Sequence, residues 1–186
     1  PAKPSYRLGE VVSINYRVTD RFDNPLLNYP VSIQSRPRLT NFGPRRFRLT
    51  EEGPFRIILT LDNNQIRDAG LTSLSDALVR RALTQLTRFY ISGNKIGKAG
   101  AQALAGAIAS GSLGQLKTLD LQSNKIGDKG MTAFSEVIAS GALANLSSLG
   151  FRKNRIGDEG MTAFSNAIAR GALAQLTYLM LEGNIV

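Results

Sequence analysis

The side chains best suited to bind a partner fall between the apolar positions of a recurring motif and differ from one copy to the next. They combine arginine and tyrosine, the usual anchors of protein interfaces, with carboxylates and amides. This mixture fits a folded protein better than a uniform polyanion, although an unconstrained surface would vary in the same way. The proposed contact residues are Arg88, Tyr90, Asp120, Gln122, Arg152, Lys153, Tyr178, Met180 and Glu182, flanked by Thr60, Asp62, Ser92, Thr118 and Ser148.

A second candidate is a basic cluster near the N-terminus, which suits a polyanion. The chain has a net charge of +9 and a pI near 10.3, and its first 56 residues hold ten basic and five acidic side chains. Phe42 and Phe47 lie among the arginines, so the segment has groups for both phosphate contact and base stacking. A solvated basic loop is the alternative, since no nucleic-acid motif accompanies the cluster. The possible polyanion contacts are Arg36, Arg38, Arg45, Arg46 and Arg48.

Catalysis has little support in the sequence. The chain contains no cysteine and no histidine, which excludes cysteine proteases, Ser-His-Asp hydrolases and zinc sites with His or Cys ligands. Glu51 and Glu52 are adjacent and would point to opposite faces of a strand. The glycine-containing segment from Ser92 to Gly100 lacks the GxxxxGK[ST] arrangement that cradles phosphate. We therefore expect a non-catalytic protein without a cofactor or metal.

The frame that carries the contact residues is a repeat of thirty residues. In one unit it consists of Leu116, Leu119, Leu121, Asn124 and Ile126, and the same pattern returns thirty residues later. A strict period of this length indicates a stack of identical supersecondary units. The asparagines are expected to form a structural ladder, each bonding the backbone of adjoining turns rather than a ligand. They are Asn64, Asn94, Asn124, Asn154 and Asn184.

Each unit is predicted to contain a short strand and one helix. Leu119 and Leu121 alternate inward from a strand of roughly three residues, which needs neighbours on both sides to be stable. The helix stripe is Met131, Phe134, Val137 and Ile138 in one unit and Met161, Phe164, Ala167 and Ile168 in the next. Asp128 and Asp158 are predicted N-caps of their own helices. Gly111, Gly141 and Gly171 are predicted left-handed helix ends, a position that Arg81 takes in the first unit.

This pattern, with IGDxGMxAF after the asparagine, resembles the ribonuclease-inhibitor type of leucine-rich repeat over residues 55–186. The resemblance implies an α/β solenoid of strand-helix units with a parallel concave sheet, and protein recognition on that concave face. The chain departs from the pattern at Arg81, at Lys98 in place of an aspartate, and at Gly150 in a strand.

Residues 1–54 lack the thirty-residue period and are predicted to form a basic β-rich segment, with strands at Val11–Val18, Val31–Gln34 and Arg46–Thr50. A further strand at Phe55–Leu61 should begin the repeat array. The stretch VSINYRVTDRFDNPLLNYPVSIQ resembles bacterial invasin-like immunoglobulin domains, which would make the chain a cell-surface adhesion module. A cap over the first repeat is the alternative to such a partial module.

No stretch approaches the roughly twenty apolar residues of a membrane span, and the N-terminus shows no signal peptide. We expect a soluble protein, cytoplasmic rather than extracellular. The absence of a helix after Asn184 suggests that the array is truncated at its C-terminus. The identity of the protein partner does not follow from the sequence.

Overall fold

The computed structural model describes the backbone of residues 5–6, 11–13, 32–36, 39–41, 46–49, 53–54 and 56–185 without residue 82. Side chains are described for residues 57–185, again without residue 82. The strands before the repeats are β1 (Ser5–Tyr6), β2 (Val11–Ser13), β3 (Ser32–Arg36), β4 (Leu39–Asn41), β5 (Arg46–Leu49) and β6 (Gly53–Pro54).

The repeats alternate strands and helices without exception. Their elements are β7 (Arg56–Thr60), α1 (Arg67–Val79), β8 (Leu86–Tyr90), α2 (Lys98–Ala109), β9 (Thr118–Asp120), α3 (Gly127–Ala139), β10 (Ser148–Gly150), α4 (Asp158–Ile168) and β11 (Tyr178–Met180). We number the units 1 to 5 after their asparagines, from Asn64 to Asn184. The three-residue strands β9 to β11 confirm the predicted strand length, whereas β7 and β8 have five residues.

Strands β7 to β11 form a parallel sheet in sequence order, and each pairs with the strand thirty residues away. Strand β3 adds to the β7 edge in antiparallel orientation. The helices pack side by side in the same order, α1 on α2, α2 on α3 and α3 on α4. One layer of strands and one layer of helices therefore enclose a single core, which confirms the predicted α/β solenoid.

The core consists of the predicted frame. Leu119, Leu121, Phe134 and Ile138 are fully buried, as are their counterparts in neighbouring units except Ile168. Phe134 meets Phe151 of the next unit edge to face, with ring centroids 5.1 Å apart, a favourable geometry for aromatic pairs. The contact joins a helix of one unit to the strand segment of the next. Packing therefore runs along the stack as well as within each unit.

The prediction that Ile168 faces the core is wrong. Ile168 is 38% exposed, whereas its counterpart Ile138 is fully buried. The difference follows from position, because α3 has a helix on each side and α4 packs only against α3 within the described residues. The stripe predicts which face of a helix is apolar, but a second flanking unit is needed to cover that face completely.

The strands predicted before the repeats agree with the structure where it describes them. The predictions at Val31–Gln34 and Arg46–Thr50 correspond to β3 and β5, and Phe55–Leu61 corresponds to β7, which begins the parallel sheet. β1 pairs with β6, while β5 lies between β2 and β4. Of the strand predicted over Val11–Val18, only β2 lies among the described residues. Most of the stretch that resembles immunoglobulin domains lies outside them.

Replacing Arg81 with glycine is expected to raise the free energy of unfolding by about 0.5–1 kcal/mol. Gly111, Gly141 and Gly171 end their helices at φ of 78°, 79° and 76°, as predicted, and Arg81 adopts the same left-handed conformation at 61°. A Cβ is disfavoured in this conformation, and the Arg81 side chain is exposed. Urea unfolding followed by circular dichroism measures the change. A loss of stability would show that the arginine side chain itself supports the first unit.

Candidate functional site

The hydrogen-bonding register aligns the outward side chains of the parallel strands in three rows. We call these rows the open face. The first row is Ile58, Arg88, Thr118, Ser148 and Tyr178; the second is Thr60, Tyr90, Asp120, Gly150 and Met180; the third is Asp62, Ser92, Gln122, Arg152 and Glu182. Ile58 was not predicted, although it lies thirty residues before Arg88.

Eight of the nine proposed contact residues lie in these rows. Lys153 is the exception, because it occupies the following turn at φ 54° and its side chain extends over Gly183. The exposed members are Arg88, Arg152, Lys153, Tyr178 and Glu182, and the half-buried ones are Tyr90, Asp120, Gln122 and Met180. The flanking Asp62 accepts hydrogen bonds from Ser92 N (2.7 Å) and Ser92 Oγ (2.9 Å). The repeat thus places the proposed contacts together on one continuous surface.

Gly150 lets three side chains of neighbouring units converge. A Cβ at Gly150 would lie 3.0 Å from Asp120 Oδ1, 3.1 Å from Met180 Cε and 3.2 Å from Gln122 Cγ. Gln122 Nε2 donates to Asp120 Oδ2 (3.1 Å) and to Met180 Sδ (3.2 Å). The sequence marked Gly150 only as a departure from the repeat, and the cluster above it is visible only in the structure.

The carboxyl group of Asp120 is held in an unfavourable environment. Burial raises its pKa above the ordinary value, and the negative charge of Asp62 raises it further. Hydrogen bonds from Gln122 N (2.9 Å) and Gln122 Nε2 act in the opposite direction. Because the folded pKa lies above the unfolded one, this group favours folding at low pH. That contribution disappears as the pH rises through the folded pKa.

The asparagines bond the backbone of two units at once. Asn124 Nδ2 donates to Leu121 O (2.9 Å) in its own unit and to Ile91 O (3.1 Å) in the preceding one. Its Oδ1 accepts from Asn94 N and Ile96 N, both at 3.0 Å. Asn94 and Asn154 are also buried and make the same carbonyl contacts. These side chains are committed to the stack and are not free to contact a partner.

The turns after the asparagines alternate between two forms. In units 1 and 3 the left-handed residue opens the helix, at Arg67 and Gly127, and its N–H donates to the carbonyl of the next asparagine. In units 2 and 4 the left-handed residue directly follows the asparagine, at Lys95 and Arg155. The asparagine N–H of those units donates to the side chain of the next asparagine instead. The identical frame therefore supports two backbone geometries.

The predicted N-caps at Asp128 and Asp158 are wrong. Asp128 lies inside the first turn of α3 and accepts from Gly157 N (2.6 Å) and Gly160 N (3.0 Å), which begin α4. Asp68 likewise accepts from Gly97 N (2.6 Å). Helix starts of successive units lie side by side, so a carboxylate reaches the exposed amides of the next helix rather than its own.

Asp158 and Lys98 occupy the position that corresponds to Asp128 in units 4 and 2. Asp158 makes no capping bond to its own helix α4. Lys98 offers no acceptor to unit 3, and Gly127 N donates to Asn154 O instead, at 3.0 Å. A departure in the sequence of one unit thus coincides with a changed helix start in the next.

The arginines proposed for polyanion contact are only partly described. Arg36 belongs to β3, while Arg46 and Arg48 belong to β5 in a different sheet. Arg38 and Arg45, and the side chains of the other three, lie outside the described residues. In the part of the chain with described side chains, no group of His, Cys, Asp and Glu could hold a metal ion. No described helix has the length and hydropathy to cross a bilayer.

Comparison with known proteins identifies the architecture. A family model described as Leucine Rich repeat matches residues 82–105, 116–135 and 142–165. The solved structure of Leiomodin-1 Actin-Binding Site 2 (ABS2) is similar with a TM-score of 0.54 and 18% identity, covering 66% of this chain and 68% of that one. No curated protein matches the sequence. With the matched repeats, the parallel sheet and a helix in every unit through unit 4, residues 56–185 are a leucine-rich-repeat solenoid.

Proposed function

We propose that the repeat array, residues 55–186, is a non-catalytic scaffold that binds a protein partner on its open face. The observation that carries the proposal is the grouping of Arg88, Arg152, Tyr178 and Glu182, all exposed, on one parallel sheet. Among the described residues, Arg88, Arg152 and Glu182 form no ion pair. They are available to a partner, and the rigid stack already holds their backbone in place. Binding then costs little ordering entropy.

The one-helix units support assignment to the ribonuclease-inhibitor type, whose sheet would make the open face concave. The similar leiomodin structure is an actin-binding site, and protein binding by another member of this architecture agrees with the proposal. At 18% identity the specific partner does not transfer. We further propose that residues 1–54 act as a cap, because β3 occupies the β7 edge of the sheet.

Alanine at Tyr90, Arg152, Tyr178 and Met180 together is expected to weaken binding of the partner by at least about tenfold, since such anchors dominate interface energies. The chain serves as bait in a pull-down from source-cell lysate at low and moderate salt. The captured protein is then purified and its affinity measured. Circular dichroism must first show that the variant stays folded.

The matched control carries alanine at four exposed helix positions, Gln102, Lys129, Glu136 and Glu159, and should retain binding. Equal binding by all three proteins would overturn the open face as the site. Capture of nucleic acid or acidic polymers alone, sensitive to salt and indifferent to both sets of substitutions, would move the function to the basic N-terminal segment.

A further inference from the structure

Asp120 occupies the middle of the open face. It lies in the second of the three rows and on β9, which has two parallel strands on either side. Its carboxylate accepts one hydrogen bond at each oxygen, from Gln122 N and Gln122 Nε2. A carboxylate offers about four acceptor sites, so roughly half of them remain for a partner. Central, partly desolvated positions carry most of the energy of protein interfaces.

Among the residues with described side chains, none forms an ion pair with this carboxylate. Arg88 on β8 and Arg152 after β10 lie diagonally to Asp120, yet both are exposed and neither pairs with it within the described residues. Asp62 of unit 1 contributes a charge of the same sign. Glu182 lies at the unit 5 end of the third row, and Lys153 lies in the turn beside it. Asp120 is thus the single charged side chain of the second row, with one cation diagonally to each side of it.

Tyr90 adds an aromatic group beside the carboxylate. It stands opposite Asp120 in the same row, on the adjacent strand β8, and adjacent strands are about 4.8 Å apart. A cation above this pair would meet a carboxylate and an aromatic ring together, and both attract ammonium and guanidinium groups. On the other side, Gly150 has no side chain, and the side chains of Gln122 and Met180 meet Asp120 above it.

We infer that the open face recognises a protein segment that places a lysine or arginine side chain against Asp120. This inference rests on the proposed function of the same face and specifies the chemistry of its partner. An acidic side chain at the centre would instead meet the charges of Asp120 and Asp62. Acidic groups of the partner belong at the outer cations Arg88 and Arg152. The partner is thus basic at its centre of contact and acidic around it.

The test uses blocked arginine, Nα-acetyl-arginine N-methylamide, as a probe in an NMR titration of the full chain. We expect saturable shifts of the backbone amides of Asp120, Gln122 and Gly150, and none with the equally blocked glutamate. Asp120→Asn keeps the size of the side chain and removes its charge. It should weaken binding of the probe by about tenfold. Asp158→Asn, at an exposed position on α4, should leave it unchanged.

The pH dependence supplies an independent readout. The probe binds the charged carboxylate, so its affinity should fall as the pH is lowered through the raised pKa of Asp120. In turn, saturating probe should lower that pKa. Absence of shifts up to the solubility of the probe, or shifts that persist in Asp120→Asn, would overturn the inference. If the purified partner binds Asp120→Asn as well as the unchanged chain yet loses affinity for the four-residue variant, this inference fails and the proposed function stands.

Discussion

Replacing Asn124 with alanine should lower the free energy of unfolding by roughly 2–5 kcal/mol, because it leaves two buried backbone N–H groups without an acceptor. Those groups are Asn94 N and Ile96 N, which both donate to Asn124 Oδ1. The carbonyl groups that Asn124 Nδ2 contacts keep another hydrogen-bond donor in the variant. Leu121 O also accepts from Asn154 Nδ2, and Ile91 O from Asn94 Nδ2. The loss therefore arises mainly from the oxygen of the side chain.

Urea unfolding of the variant measures this loss, and Asn145→Ala provides the matched control. Asn145 also bonds the preceding unit, through Nδ2 to Gly114 O at 2.9 Å, but it is exposed. Its removal should cost less than about 0.5 kcal/mol, as is usual for surface substitutions. Equal losses for the two variants would show that burial of the asparagine contributes nothing.

Substituting alanine at Gly160 should lower the free energy of unfolding by about 2–3 kcal/mol through overpacking. A Cβ there would lie 2.7 Å from Asp128 Oδ1, 2.8 Å from Ile156 Cγ2 and 3.0 Å from Asp128 Cα. The last of these is backbone, so α4 would have to move away from α3. That movement would also stretch the hydrogen bonds from Gly157 N and Gly160 N to Asp128.

The same substitution at Gly106 should change the free energy of unfolding in the opposite direction. Gly106 lies inside α2, and a Cβ there would meet nothing within 4 Å. Alanine is better than glycine in a helix interior by about 0.5–1 kcal/mol, so Gly106→Ala should stabilise the protein. Both variants are compared by urea unfolding under identical conditions. Stabilisation by both would mean that α3 and α4 can separate at no cost.

The sequence alone was sufficient to predict the structure at the positions that every unit repeats. Leu119, Leu121 and Phe134 belong to a frame in which hydrophobic period and core burial coincide, so the strand, the helix and the sheet follow from it. Gly111 and its counterparts were predictable for a similar reason, since a left-handed helix end selects glycine directly. The members of the open face were also predictable, because side chains alternate along a strand.

The features that depend on neighbouring units were not predictable from one unit. The acceptor role of Asp128 toward Gly157 depends on how far α3 and α4 are offset, and the sequence around Asp128 resembles an ordinary N-cap. The exposure of Ile168 depends on which flank of α4 is covered. The cluster of Asp120, Gln122 and Met180 forms because Gly150 of the strand between them has no side chain. In each case the missing information is the relative placement of two units.

The alternating turns give the array a structural period of sixty residues, twice the period of its sequence. The frame returns after thirty residues, but the left-handed position of Arg67 returns only at Gly127, and that of Lys95 only at Arg155. Excising one thirty-residue unit would join two turns of the same form, whereas excising two adjacent units would restore the original junction. Gain or loss of repeats by recombination would therefore be tolerated best in pairs, in steps of sixty residues.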